Sequence, residues 1–413
     1  MAVFSKLERP EQEPLFFLAG GPGDAAIDVA VRLFSSVFSA FLDQRTLIVI
    51  DQRGTGRSQP SLNCPERDLA ACRARLVRQG INLSSYTTKE NAADINDVRL
   101  ALGYQRVDLL GGSYGTLLAQ AVMRDYPAKV RSAILDSPAP LQGLVQLELI
   151  RHFEPALQVL FDACQSDTAC NKDYPNLRAT FYHLVERLNT APIQVRVAEG
   201  ANGPAREFTL TGGQFAFVIW QSLYHSEAIP HLPRIIGDSA GGNNERLARL
   251  IERLRPPDVR SVGMQQSVEC TEMAPFMKPD QFQDAARQIS PALRAAAMNQ
   301  FGDIFERCKI WDVLPANAQV KESLRTSTPV LLLSGAFDPA TPPGSARWTA
   351  ETLTQHHLFI FPDSGHGVFR TSACARAVIA AFLADPGRSP RVPCVTRLAG
   401  PQFVKTTDAP VPQ

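Results

Sequence analysis

The sequence predicts an α/β protein whose mostly parallel central sheet carries helices on both faces and is interrupted by a mainly helical insertion. Three observations lead there. The first third alternates short apolar, β-branched runs with stretches of helical spacing. That strand signal then fades for about 180 residues and returns near Pro329. Finally, 413 residues with 45% hydrophobic and 20% charged content can bury a sizeable core, which excludes wholesale disorder. Lys and Arg number 42 against 41 Asp and Glu, a formal charge of +1 with no block of one sign. Nucleic acid and anionic membrane surfaces are therefore not expected partners. No apolar run approaches the roughly 18 residues of a membrane span.

The elements follow in chain order. Residues 14–19 are an apolar run ending in Gly20-Gly-Pro-Gly23, and a helix is expected over 26–42. Residues 46–50 form the next strand, closed by Asp51 and a loop with Gly54 and Gly56. The spacing of Ile95, Val98 and Leu102 marks 91–102 as a helix. Residues 107–110 are a strand running straight into Gly111-Gly-Ser-Tyr-Gly115, followed by a helix over 116–124 and a strand over 132–135. Helices are then expected over 148–164, 177–189, 213–224, 244–254 and 281–298, with one hairpin near 193–210. Strands return at 329–334 and 357–361, each followed by a helix, 344–353 and 373–384. Core-type strands on both sides of the helical stretch favour one interrupted core over two independent domains. Residues 1–140 and 321–413 are assigned to that core and 141–320 to a helical cap.

Gly111-Gly-Ser113-Tyr-Gly115 fits G-x-S-x-G between a strand and a helix. A serine on such a sharp turn takes a strained backbone conformation, and side chains two residues to either side would collide with neighbouring backbone. The turn projects the hydroxyl clear of the sheet, where the helix N-terminus aims its free N–H groups. The pattern alone fits any glycine-rich turn; its place between strand and helix favours a nucleophile.

A serine nucleophile needs a base, and the base an orienting acid. Of the seven histidines, only His366 lies in a loop after a strand, with flanking glycines that leave its ring room. Asp338 follows the preceding strand, where its ordinary role would be a turn or helix cap. The order Ser113, Asp338, His366, each at the C-terminal end of a strand, is that of the α/β-hydrolase fold. Asp136 is the second candidate acid, and Asp363 is too close in sequence to His366 to orient it. The oxyanion needs two backbone donors, assigned to Tyr114, next after the nucleophile, and Gly21 in the first glycine loop.

Eight cysteines, at 64, 72, 164, 170, 270, 308, 374 and 394, contain no CxxC pair, which argues against a zinc ribbon or thioredoxin-type site. They are either reduced, buried thiols of a cytoplasmic protein or disulfides of an exported one. The close spacing of Cys64 with Cys72 and of Cys164 with Cys170, in turn-rich stretches, favours the second. No metal-ligand spacing occurs, and the serine chemistry calls for no cofactor. The N-terminus lacks a charged segment followed by an apolar one, so no signal peptide is read in this chain.

Taken together, Gly20-Gly-Pro-Gly23, Asp51-Gln-Arg-Gly-Thr-Gly-Arg-Ser58, Gly111-Gly-Ser-Tyr-Gly-Thr116, Gly335-Ala-Phe-Asp-Pro339 and Gly365-His-Gly367 resemble the proline iminopeptidase and tripeptidyl-aminopeptidase group of α/β-hydrolases. The likeness is to bacterial exported members with a TAP-like C-terminal region, over roughly residues 14–395. It implies a triad of Ser113, Asp338 and His366, a helical cap between core strands, and removal of N-terminal residues from peptides. It also implies export and the pairs Cys64–Cys72, Cys164–Cys170, Cys270–Cys308 and Cys374–Cys394. Two departures stand out. Ala19 occupies the position where the family usually has His, so the loop after it lacks that support. Only about 14 residues precede the first clear strand, where the fold normally opens with a further hairpin. Either the start is truncated, which would also account for the missing signal peptide, or residues 2–7 are the hairpin's remnant.

An aminopeptidase must recognise a free α-ammonium, which calls for carboxylates in the cap. Glu269 and Glu272 border the site by family likeness, although acids are ordinarily solvated surface residues. Gly20 is expected to approach the substrate, and Met273, Phe276 and Met277 either line an apolar pocket or pack in the core. Asp51 and Arg53 fit a turn or ion-pair role better than catalysis. Three rival readings compete with this one. A dinucleotide site is suggested by Gly21-Pro-Gly23-Asp-Ala-Ala26 with Asp51 beyond. However, Pro22 stiffens that turn, and about 30 residues separate the glycines from Asp51 instead of about 20. A carboxylesterase acting on small esters would use the same residues as a peptidase. A non-catalytic binding protein leaves the three-residue constellation without purpose.

Overall fold

Four strand segments are buried at every residue, the mark of strands covered on both faces. They lie within a seven-stranded sheet built from β1 (Ala2–Phe4), β2 (Leu15–Leu18), β3 (Leu47–Val49), β4 (Val107–Gly112), β5 (Val130–Asp136), β8 (Val330–Gly335) and β9 (His356–Phe361). A separate antiparallel pair, β6 (Ile193–Ala198) and β7 (Ala205–Leu210), forms the expected hairpin. This computed structural model describes residues 1–6, 13–198, 205–254 and 260–406. The sheet order is β1-β3-β2-β4-β5-β8-β9; β1 pairs antiparallel with β3, and every other neighbouring pair is parallel. The short N-terminal run is thus a strand, with Ala2 opposite Val49 and Phe4 opposite Leu47.

Side chains alternate strictly between the two faces. Leu15 and Phe17 join one buried cluster with Leu110, Ile134, Leu331 and Leu333, whereas Phe16 and Leu18 join the other with Leu109, Ala133, Leu135 and Leu332. The chain runs from β2 outward to β3, then crosses back to place β4 on the other side of β2. This reversal leaves a crevice beyond the C-terminal ends of β2 and β4, where ligands of open α/β sheets bind. Gly20 and Ser113 follow these two strands directly.

Between β5 and β8 the described residues supply helices and the β6–β7 hairpin but no strand of the main sheet. Two expected helices differ. The helix expected over 26–42 stops at Arg32; beyond it the Leu33 carbonyl is shared by the Val37 and Phe38 N–H groups, and the span ends in a short 3-10 turn, Phe38–Phe41. The helix expected over 281–298 is two, Pro279–Arg287 and Pro291–Phe301, since Pro291 has no N–H to continue the first and starts the second well. All eight cysteines are paired as Cys64–Cys72, Cys164–Cys170, Cys270–Cys308 and Cys374–Cys394. Among the described residues no helix is long and apolar enough to cross a membrane.

Candidate active site

Strand β4 delivers Ser113 into a backbone conformation of φ 55° and ψ −123°, outside the regular regions, and the helix Tyr114–Asp125 starts at the next residue. Two contacts explain the glycines around it. A Cβ on Gly111 would lie 2.3 Å from the Gly115 carbonyl oxygen, and one on Gly115 would lie 2.0 Å from that of Leu18. Only bare backbone lets strand, turn and helix pack this closely. The Ser113 N–H donates to the Asp136 carbonyl at 3.0 Å, tying the turn to β5. The Tyr114 N–H, in the first helical turn, has no partner within its own helix.

Asp338 and His366 stand just beyond the C-terminal ends of β8 and β9. The His366 Nδ1 lies 2.8 Å from Asp338 Oδ2. Asp338 is fully buried and also accepts from the N–H groups of Ala340 and Thr341 and from the Thr341 hydroxyl, at 2.9–3.0 Å. Burial alone would raise its pKa, but the adjacent His366 and the Thr341 donors outweigh it and hold the carboxyl below the usual range. Thr341 Oγ1 is 3.4 Å from His366 Nδ1 and can also donate to the Ser137 carbonyl at 3.0 Å. The His366 N–H donates to the Tyr224 carbonyl at 3.0 Å, and the two rings lie 5.0 Å apart. Neither Thr341 nor Tyr224 was singled out from sequence. Thr341 has a local signal, an Asp followed three residues later by a Thr in a turn, while Tyr224 comes from the insertion and has none.

The second candidate acid has other work. Asp136 accepts from the Val368 and Phe369 N–H groups at 2.9 and 2.6 Å, and Ser137 Oγ accepts from the Gly367 N–H at 2.8 Å. Complete burial raises the Asp136 pKa to about 6 against the pull of those N–H groups. It anchors the segment after His366 instead of the imidazole. Asp363 accepts from its neighbour Ser364.

The first glycine loop closes over the serine. A Cβ on Gly20 would fall 3.1 Å from Ser113 Cβ and 3.7 Å from its Oγ, so Gly20 lies against the nucleophile candidate. Gly21 has φ +108°, a conformation that L side chains rarely adopt. The loop's far end is held by the insertion, through the Ser261 N–H to the Gly23 carbonyl and an ion pair from Arg260 Nε to Asp24 Oδ1, each 2.8 Å.

Glu269 and Glu272 are both buried on the helix Val262–Glu272 and already have protein donors. Glu269 accepts from Gln146, Gln265 and Arg307 at 2.8–3.1 Å. Glu272 accepts from the Thr88 N–H at 2.6 Å and from its hydroxyl, and Thr88 Oγ1 in turn lies 2.9 Å from the Tyr114 hydroxyl. Burial raises the Glu272 pKa despite the Thr88 donors. Met273 and Met277 are buried members of the larger apolar cluster, with core contacts. Asp51 accepts from the Ile27 and Arg57 N–H groups, and Arg53 pairs with Asp94 at 2.7 Å. A cavity of about 870 Å³ lies beyond β3, lined by Asp51, Gln52, Arg53 and Asp94 among others, but by none of Ser113, Asp338 and His366. Its walls hold no nucleophile with a base, so the chemistry locates the candidate site at the β2–β4 crevice instead.

Fold and sequence now define the class. Residues 13–185 match the model of the alpha/beta hydrolase fold and residues 294–394 that of the TAP-like protein. The chain has the α/β-hydrolase fold and is an enzyme, a serine hydrolase, with a C-terminal part similar to the TAP-like protein. It is 24% identical over 408 residues to serine protease Hip1 of Mycobacterium tuberculosis, covering 88% of this chain and 77% of that protein. A proline iminopeptidase of Xylella fastidiosa is 30% identical over 132 residues, covering 32% and 34% of the two chains. Among solved structures, the proline iminopeptidase of Mycobacterium smegmatis superposes with a TM-score of 0.46 at 18% identity, covering 94% of each chain.

Proposed function

We propose that the protein is an aminopeptidase that removes N-terminal residues from peptides through an acyl-enzyme on Ser113. The observation that carries this reading is the 2.8 Å contact of His366 Nδ1 with Asp338, beyond the C-terminal ends of β8 and β9 in the same sheet whose strand β4 leads into Ser113. His366, oriented by ionised Asp338, takes the Ser113 proton as the oxygen attacks the carbonyl carbon. The N–H groups of Tyr114 and Gly21 hold the oxyanion. His366 then passes its proton to the leaving amine, and water, activated by the same imidazole, hydrolyses the ester. The names of the relatives, a serine protease and proline iminopeptidases, support peptide over ester substrates. Residues 1–140 and 321–413 act as the catalytic core and 141–320 as the cap that selects substrate. Within the cap, Glu272 is the better placed acid for a substrate ammonium, because Arg307 already neutralises Glu269. Four disulfides favour export to an oxidising compartment.

Assay of aminoacyl and tripeptidyl nitroanilides beside short acyl nitrophenyl esters, with products identified by mass, tests the reading. Cleavage of free-amine amides, abolished in Ser113→Ala, is expected. Turnover of acyl esters with no amide cleavage would establish a carboxylesterase instead.

A further inference from the structure

We infer that Gln52 is a positioning residue for the oxyanion loop, which rests on the proposed role of the Gly20–Gly23 turn. Ala19, the residue that leads into this loop, has only a methyl group and can fix nothing through its side chain. Its carbonyl is held from below: Gln52 Nε2 donates to Ala19 O at 3.0 Å, with Gln52 only 3% exposed. A carbonyl can only accept, so this contact alone sets which end of the amide faces the loop. The other end, Oε1, is buried without a partner among the described residues, so among them Ala19 is the group that the amide serves.

The arm that reaches Ala19 is itself rigid. The Gln52 carbonyl accepts from both the N–H and the hydroxyl of Thr55, at 3.0 and 2.8 Å. The preceding Asp51 carboxylate is fixed by the Ile27 and Arg57 N–H groups, both at 2.9 Å. Because a peptide unit is planar, pinning the Ala19 carbonyl toward Gln52 turns the Gly20 N–H to the opposite side and sets the direction in which Gly21 leaves. The loop's exit is pinned separately by Ser261 and Arg260. Gly21 lies between the two anchors at φ +108°, where glycine supplies no side chain to hold it. An oxyanion donor stabilises the transition state only if it is in place before charge develops. Releasing the entry anchor should therefore weaken catalysis without weakening ground-state binding.

The test uses the full chain with Gln52→Met, of similar length but no donor, and Gln52→Leu, of similar volume and likewise without a donor. Rates are expressed per serine titrated by a fluorophosphonate, which counts only competent sites. The expected result for both variants is a fall of roughly 10- to 100-fold in kcat, less than the 10²–10³ of a lost oxyanion donor. KM should stay within about twofold, and the inhibition constant of a peptidyl boronic acid, which forms the tetrahedral adduct, should weaken by the same factor as kcat. Wild-type kcat and boronate affinity in either folded variant, or a rise in KM alone, would overturn the inference. Should the Met variant not fold, the Leu variant decides. Failure of the underlying reading is separate: it would show as turnover retained in Ser113→Ala, whatever the Gln52 variants do.

Discussion

Asp338 Oδ2 and His366 Nδ1 are 2.8 Å apart, and the Asp338 carboxylate is held from three further sides by Ala340 and Thr341. A carboxylate fixed this firmly has one orientation to offer, and it selects the imidazole tautomer with the proton on Nδ1 and the free lone pair on Nε2. Asp338→Asn keeps the shape but can present its amide N–H₂ to the ring and stabilise the wrong tautomer. We expect kcat to fall by about 10⁴-fold with the thermal midpoint changed by only a few degrees. Steady-state kinetics with parallel melting curves checks this; a loss below tenfold would remove Asp338 from the mechanism.

Gly115 makes a prediction about folding. A methyl group there would sit 2.0 Å from the Leu18 carbonyl oxygen and 3.1 Å from that of Ala19, both backbone atoms with no room to yield. Gly115→Ala is expected to lower stability by more than about 3 kcal/mol, at the high end for point substitutions. Urea titration of soluble protein, or its failure to accumulate, gives the readout. Gly344→Ala, with open space around its Cβ, is the matched control and should be close to neutral.

These two residues also show what sequence can carry. Ser113 and Asp338 could be singled out because each follows a strand buried at every residue, and such strands are continuous apolar runs; His366 follows the half-exposed edge strand β9, and the glycines flanking it carried the signal. The glycines of 111–115 declare a close approach by their type alone. The helix Val262–Glu272 was not legible as an element, since it is buried on all sides and turns its polar groups inward. There Ser267 accepts from Trp311 Nε1, Glu269 pairs with Arg307, and Glu272 meets Thr88, so no amphipathic stripe remains. Likewise, nothing near Tyr224 announces that its carbonyl will receive the His366 N–H from another part of the chain.

The disulfide Cys270–Cys308 joins that helix to Ile304–Trp311 across 38 residues, whereas Cys64–Cys72 spans only 8. In the chain-entropy model the longer closure stabilises by about 4 kcal/mol and the shorter by about 2.5 kcal/mol. Replacing the 270–308 pair with alanines should therefore lower the urea midpoint more than replacing 64–72. Equal losses would show that native-state strain or residual structure outweighs loop length.

Asp136 links stability to pH. Its folded pKa of about 6 lies above the ordinary value near 3.9 for an aspartate. The folded state therefore holds this proton more tightly than the unfolded chain. The stabilisation is fully present below about pH 4 and is lost as pH rises through about 6, up to about 3 kcal/mol in all. Asp338, whose pKa is lowered, acts in the opposite sense and loses its contribution as pH falls. The two are separated by difference: in Asp136→Asn only the first is removed. The stability gap between wild type and Asp136→Asn should shrink between pH 4.5 and pH 7, measured by urea titration. A gap independent of pH would mean that Asp136 is ionised throughout.

Glu272 and Glu269 can be told apart by the same isosteric change. Glu269→Gln removes the buried one of two carboxylate partners of Arg307, the other being Asp303, and should reduce stability with little effect on substrate binding. Glu272→Gln leaves an acceptor for the Thr88 N–H and a donor for its hydroxyl, so the fold should persist. What it removes is the negative charge beside the Tyr114–Thr88 pair. If that charge reads the substrate ammonium, KM for aminoacyl nitroanilides should rise at least about tenfold, the loss expected for a charge-assisted hydrogen bond. Turnover of an acyl ester without an amine should stay within about twofold. A KM increase on both substrates, or on neither, would move amine recognition to another part of the cap.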